Sequence, residues 1–136
     1  MGSMKPKEVP KAKPSRELLL KTFEASAALR TFRPCIESVL RSRSRTPYEL
    51  IVVDDGNTDP DLVRYLQELK SSRRATIVAQ PTAQGYAAAV NRAVGLHRDR
   101  DVVVLQSDAE VANDWLDRLV AHAAPADVGV IGTFTN

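Results

Sequence analysis

Residues Leu50-Ile51-Val52-Val53-Asp54-Asp55-Gly56-Asn57-Thr58-Asp59-Pro60, LIVVDDGNTDP, set an apolar run against two adjacent acids, a glycine and a turn. The run from Tyr48 to Val53 is short, rich in β-branched residues and bounded by turn signals. That pattern predicts a strand buried on both faces, as in parallel sheets covered by helices. Asp59 then suits the N-cap of a helix whose apolar face is Leu62, Val63, Leu66 and Leu69.

Working outward, the alternation continues. ATIVA (75–79) reads as a second strand, Gln84 to about Leu96 as an Ala-rich helix, and DVVVL (101–105) as a third strand. Trp115, Leu116, Leu119 and Val120 make the face of another helix, with Trp115 a core residue, and Val128 to Ile131 reads as a fourth strand. On the N-terminal side, Ser15 to about Phe32 is nearly free of β-branched residues. Leu19, Leu20, Phe23 and Ala27 fit one helical face with Ser15 as cap, so a helix is predicted there. Pro34 suits the first turn of a further helix, with Ile36, Val39 and Leu40 inward, broken at Thr46-Pro47. Strands alternating with helices predict an α/β fold: a three-layer α/β/α sandwich around a mainly parallel sheet with right-handed crossovers. In such sheets ligands bind beyond the carboxyl ends of the strands, where Asp54 and Asp55 stand.

The chain has 136 residues, 43% hydrophobic and 26% charged, enough for one core. No apolar run approaches the ~20 residues of a membrane span, and no apolar segment follows the N-terminal lysines as in a secretory signal. Met1 to Met4 reads as a vector-derived leader. Residues 1–14 read as a disordered basic tail and 15–136 as the folded domain. The formal charge of +2 is uneven: residues 1–16 carry five cations against Glu8, so the remainder is slightly acidic. The tail and the RSRSR stretch, 41–45, read mainly as solvated, with an acidic membrane surface as the sharper reading and the inner face of a membrane as the matching address. Aromatics are too few, and not interleaved with the cations, for nucleic acid. Cys35 is the one cysteine, which excludes an internal disulfide and fits a reducing, cytoplasmic compartment. It reads as a small buried hydrophobe rather than a nucleophile. His97 and His122 receive no role.

A second acidic group ends the third strand: Gln106-Ser107-Asp108-Ala109-Glu110. Acids after strands are ordinary turn formers. Two such groups at matching strand ends point instead to a shared rim. Asp108 and Glu110, two apart in a non-helical segment, can turn toward one cation, and their hard oxygens suit Mg²⁺ or Mn²⁺. A metal that also touches a diphosphate neutralises charge on a leaving group.

These segments resemble the family 2 glycosyltransferases of the GT-A fold, from about Pro34 to Asn136. CIESVLRS is similar to that family's first helix, and YELIVVDDGNTD to its VVDDGSTD strand and turn. QGYAAAVNRAV is similar to its G-[FY]-A-x-A-x-N helix, and VVVLQSDAEVANDWLDRL to its D-x-D strand end and following helix. The resemblance implies transfer of a sugar from a nucleoside-diphosphate sugar to an acceptor hydroxyl, metal-assisted and inverting. It implies Asp54 and Asp55 in the nucleotide pocket and Asp108 and Glu110 on the metal that holds the donor diphosphate. Gly85 would allow close backbone approach to the donor, and Asn91 would support the pocket from its helix. Where the family opens with a central strand ending in Pro-x-Tyr-Asn, this chain has LLLKTFEASAALRTFRP, which either forms a poor strand or leaves the centre of the sheet to be filled some other way. The acceptor half of the family, with its general base, would lie beyond Asn136, so little or no transfer is expected of these residues alone. A non-catalytic nucleotide-sugar or partner-binding module shares every feature named. A phosphoacceptor receiver domain also sets acids at strand ends, but its acid pair comes near the start of the chain.

Overall fold

A computed structural model of the chain describes residues 16–21 and 28–133. Four strands and four helices alternate: β1 (Arg16–Lys21), α1 (Ala28–Arg41), β2 (Tyr48–Asp55), α2 (Pro60–Ser71), β3 (Thr76–Gln80), α3 (Tyr86–Val94), β4 (Asp101–Leu105) and α4 (Trp115–Ala123). The sheet is parallel throughout, in the order β3-β2-β1-β4. A receiver domain of the flavodoxin-like type runs 2-1-3-4-5, so the order excludes that alternative.

β2 explains why LIVV carries no polar position. Strand side chains alternate between faces. Leu50 and Val52 pack against Phe32, Ile36 and Val39 of α1 and Leu62, Leu66 and Leu69 of α2. Ile51 and Val53 face the other way, onto Ala89 and Ala93 of α3. All four are buried, each worth about 1.5–3 kcal/mol relative to exposure. Helices on both faces make this the expected three-layer α/β/α sandwich. On the first face the rings of Phe32 and Tyr65 meet edge-on at 6.2 Å, and Tyr65 donates its hydroxyl to Glu37 at 3.0 Å. α2 starts as its sequence predicts: the Asp59 side chain accepts the Asp61 amide, with Pro60 in the first turn.

Three expectations are corrected. Residues 16–21 are a strand, not the start of a helix from Ser15 to Phe32. β1 lies at the centre of the sheet, with Leu18 in register with Leu50 on one side and Val103 on the other. Helix propensity is a weak prior, and two waiting parallel neighbours supply a full ladder of backbone hydrogen bonds that override it. The next helix starts at Ala28, so Pro34 lies inside α1 rather than at its first turn. Val128 to Ile131 forms no strand: Val130 is 92% exposed, because no described neighbour offers that segment a partner.

Candidate functional site at the carboxyl rim

The chain builds β1, β2 and β3 outward in one direction with α1 and α2 on one face, then crosses back by α3 on the other face to add β4 beyond β1. The direction of winding therefore reverses between β1 and β4. A crevice opens at such a switch point, at the carboxyl ends of the strands. Both acidic groups reach this rim. They are not on adjacent strands, however, because β1 runs between them. Val52, Leu20 and Leu105 share one register line, with Asp54 two residues and Asp108 three residues further on. Two strand spacings put β2 and β4 about 10 Å apart.

Asp54 and Asp55 are the last two residues of β2, in register with Ala79 and Gln80. Adjacent strand residues point to opposite faces, and these two carboxylates part company accordingly. Asp54 is half-buried and accepts the Asn57 amide at 3.1 Å, closing a turn. Burial pushes its carboxyl above the usual range, against the lowering effect of that bond, and the nearby Asp55 charge adds to the rise. Asp55 is 7% exposed and holds the loop between β3 and α3. One oxygen accepts from Gln80 Nε2 at 3.1 Å and the Gln84 amide at 2.8 Å; the other accepts the Gly85 amide at 3.0 Å. It thus ties β2 to the start of α3.

The glycines divide by what faces them. Gly56, at φ +72°, lies so close to the crossing loop that a Cβ would stand 2.5 Å from the Ala83 nitrogen. Gly85, at φ +90°, has nothing within 4 Å of a Cβ position and opens onto free space at the N-terminus of α3. Asn91 lies on the exposed face of α3, away from buried Ala89 and Ala93. Asn57 Oδ1 accepts the Asp59 amide at 3.2 Å, while its buried Nδ2 has no partner among the described residues.

Past β4, a turn closes from the Ala109 amide to the Gln106 carbonyl at 3.1 Å. It presents Asp108, with Glu110 after it, both exposed. The backing comes from α1. The Cys35 thiol lies 3.5 Å from the same Gln106 carbonyl, and Ser38 Oγ accepts the Val111 amide at 3.0 Å while donating to the Cys35 carbonyl at 2.7 Å. Further along, Asn113 accepts the Arg43 amide at 2.9 Å. The Trp115 indole donates to Ser42 at 3.2 Å, and Asp117 accepts the amides of Arg45 and Thr46 and the hydroxyls of Ser44 and Thr46. Burial first, then Asp108, then Glu110, push the Cys35 thiol up to about 12. Among the described residues no three His, Cys, Asp or Glu side chains converge as a self-sufficient metal cage. Ser38, Asn113 and Asp117 are structural contributors that sequence reading misses; their partners lie about 70 residues away and no local spacing signals them.

The fold and rim define a nucleotide-diphospho-sugar transferase architecture. Solved structures share it: S. aureus TarS in complex with UDP superposes with a TM-score of 0.66 at 16% identity, over 87% of this chain and 38% of that one. TarS in complex with UDP-GlcNAc gives 0.65 at 16%, over 87% and 37%. GalNAc-T7 with UDP, GalNAc and Mn²⁺ gives 0.62 at 20%, over 85% and 22%. The sequence profile of Glycosyl transferase family 2 matches residues 22–136, and the chain belongs to that family. It is 34% identical over 106 residues to an uncharacterised protein of Sinorhizobium fredii, covering 76% of this chain and 12% of that protein. It is 36% identical over 72 residues to an uncharacterised glycosyltransferase of Haemophilus influenzae, covering 52% and 28%. The chain thus spans between about an eighth and under a third of these relatives' lengths.

Proposed function

We propose that this domain holds the donor of a glycosyltransferase that moves a sugar from a nucleoside-diphosphate sugar to an acceptor hydroxyl with inversion. The observation that carries the reading is the pair of acidic strand ends flanking β1 at the switch point of the sheet. Similarity to structures titled with UDP and UDP-GlcNAc supports a uridine nucleotide as the first donor to test.

In this reading Asp54 faces the nucleotide, toward base and ribose. Asp55 contributes indirectly, by fixing the amides at the start of α3. The open ground in front of Gly85 lets the donor approach the backbone, and Asn91 supports the pocket from α3. Asp108 and Glu110 would hold Mg²⁺ or Mn²⁺; their exposure, hard oxygens and spacing of two residues just past β4 fit such an ion. When bound, the ion supplies charge neutralisation on the departing diphosphate. The segment bearing both acids is tied to α1 at Gln106 and Val111, which anchors the backbone from which the carboxylates project. Attack at the anomeric carbon needs a carboxylate within hydrogen-bond reach of the acceptor hydroxyl; that role is assigned to none of the residues above.

Calorimetric titration of UDP with and without Mn²⁺, on the wild type and Asp108→Ala, tests the reading. Metal-dependent binding that the substitution abolishes is expected. Absence of binding for UDP, GDP and dTDP alike would leave a member of the family fold without a donor site.

A further inference from the structure

The two rims of the sheet carry opposite charge. The carboxyl rim has Asp54, Asp55, Asp59, Asp61, Asp108 and Glu110. The amino rim is built by three loops, 42–47, 72–75 and 95–100, together with the end of α2. From these project Arg43, Arg45, Lys70, Arg73, Arg74 and Arg98, all exposed. Among the described residues none of the six has an ion-pair partner. The acids of this rim are Glu49, held by Arg100 at 2.8 Å and His97 at 3.2 Å, Asp117, which accepts the amides of residues 45 and 46, and the exposed Asp99 and Asp101; the cations outnumber them. Lys70, Arg73 and Arg74 line an open cavity of about 480 Å³ with Tyr48, Glu49 and Thr76. Leu96, 47% exposed, stands in the same loop as Arg98.

We propose that the amino rim is a docking surface for an anionic phospholipid bilayer. The cations are spread over three loops of a four-stranded sheet, with no enclosed subsite; the apolar side chains among them are the exposed Leu96 and the half-buried Ala75 and Ile77 of the cavity. Such an array matches a diffuse field of headgroup phosphates, to which each Lys or Arg near the surface adds independently. A single-stranded nucleic acid would want stacking aromatics, whereas Tyr48, the aromatic of the cavity, is half-buried with its hydroxyl 3.4 Å from the Val39 carbonyl. An acidic protein partner would want a desolvated apolar centre, and Leu96 does not make one with Ala75 and Ile77, which pack inward against the core. Docked this way, the switch-point rim faces away from the bilayer. The proposal is independent of the donor reading, since its residues lie at the other end of the strands.

Co-sedimentation of the full chain with vesicles tests it, using phosphatidylcholine alone and with about 30 mol% phosphatidylserine. Binding to the anionic vesicles only is expected, and its loss at about 1 M salt, where the screening length falls to about 3 Å. The triple variant Arg43→Glu, Arg73→Glu, Arg74→Glu should weaken binding about a hundredfold or more. Asp59→Asn with Asp61→Asn should leave it unchanged, and circular dichroism should show both variants folded. Replacing the four tail lysines with Gln should weaken binding but leave it dependent on the rim. Equal binding to neutral vesicles, or an unchanged triple variant, would overturn the proposal. So would a tail variant that no longer binds, or capture by a nucleic-acid duplex with none by vesicles.

Discussion

The Asp55 carboxylate accepts the Gly85 amide across the gap between β2 and α3, at 3.0 Å, and takes Gln84 and Gln80 on its other oxygen. One nearly buried acid therefore sets where the open ground before α3 lies relative to Asp54. Hydrogen bonds to a charged group contribute about 1.5–3 kcal/mol each, less when several share one carboxylate. Asp55→Ala is expected to cost about 3–4 kcal/mol in urea unfolding and to speed hydrogen exchange at Gly85. A loss under about 1 kcal/mol would show that the loop holds itself.

Gly56 and Gly85 both have positive φ but should respond differently to alanine. Left-handed backbone costs a side chain about 1–2 kcal/mol, and Gly85→Ala should cost that alone, since its Cβ position is open. Gly56→Ala adds a collision with the backbone of Thr82 and Ala83, and should cost about 3 kcal/mol or more. Thermal melts of the two variants give the ranking; equal losses would contradict the close approach.

Ser38 links α1 to the acidic segment after β4 through the Val111 amide. Ser38→Ala leaves that amide without its acceptor, for a loss of about 1–2 kcal/mol. Its mark should be local: faster exchange at Val111 and weaker Mn²⁺ binding, with Gly85 unchanged. Retained Mn²⁺ affinity with a lowered melting temperature would reduce Ser38 to packing alone.

Asp117 is held down to about 2, first by the Arg45 amide and then by the Thr46 hydroxyl. A carboxyl depressed in the fold stabilises above its unfolded value and loses that contribution as pH falls toward its folded one. Wild type should thus melt above Asp117→Asn at neutral pH, and the gap should close between about pH 4 and pH 2. A gap independent of pH would point to shape rather than charge.

Cys35 is fully buried, and burial is the main reason its thiol is pushed up to about 12. The thiolate is the reactive form. Native protein at pH 8 should resist a disulfide reagent that modifies the urea-unfolded chain readily. Rapid native labelling would show that the segment from Gln106 to Val111 opens away from α1.

Residues 50–53 determined by themselves that this is a covered parallel sheet, because four apolar positions in a row leave no face for water. The same local logic placed β4 and the α2 cap, and put the acids at strand ends. It did not find β1. Arg16–Lys21 has no β-branched residue, and its strand exists because β2 and β4 present hydrogen-bonding edges on either side. Nor could local sequence tell that Asp55 holds a distant loop, or that α1 braces the segment bearing Asp108 and Glu110. Those relations join residues about 30 to 70 positions apart. Side-chain periodicity is a property of neighbours along the chain. The partners of Asp55, Cys35 and Ser38 are set by the order in which strands enter the sheet, and only the folded chain contains that order.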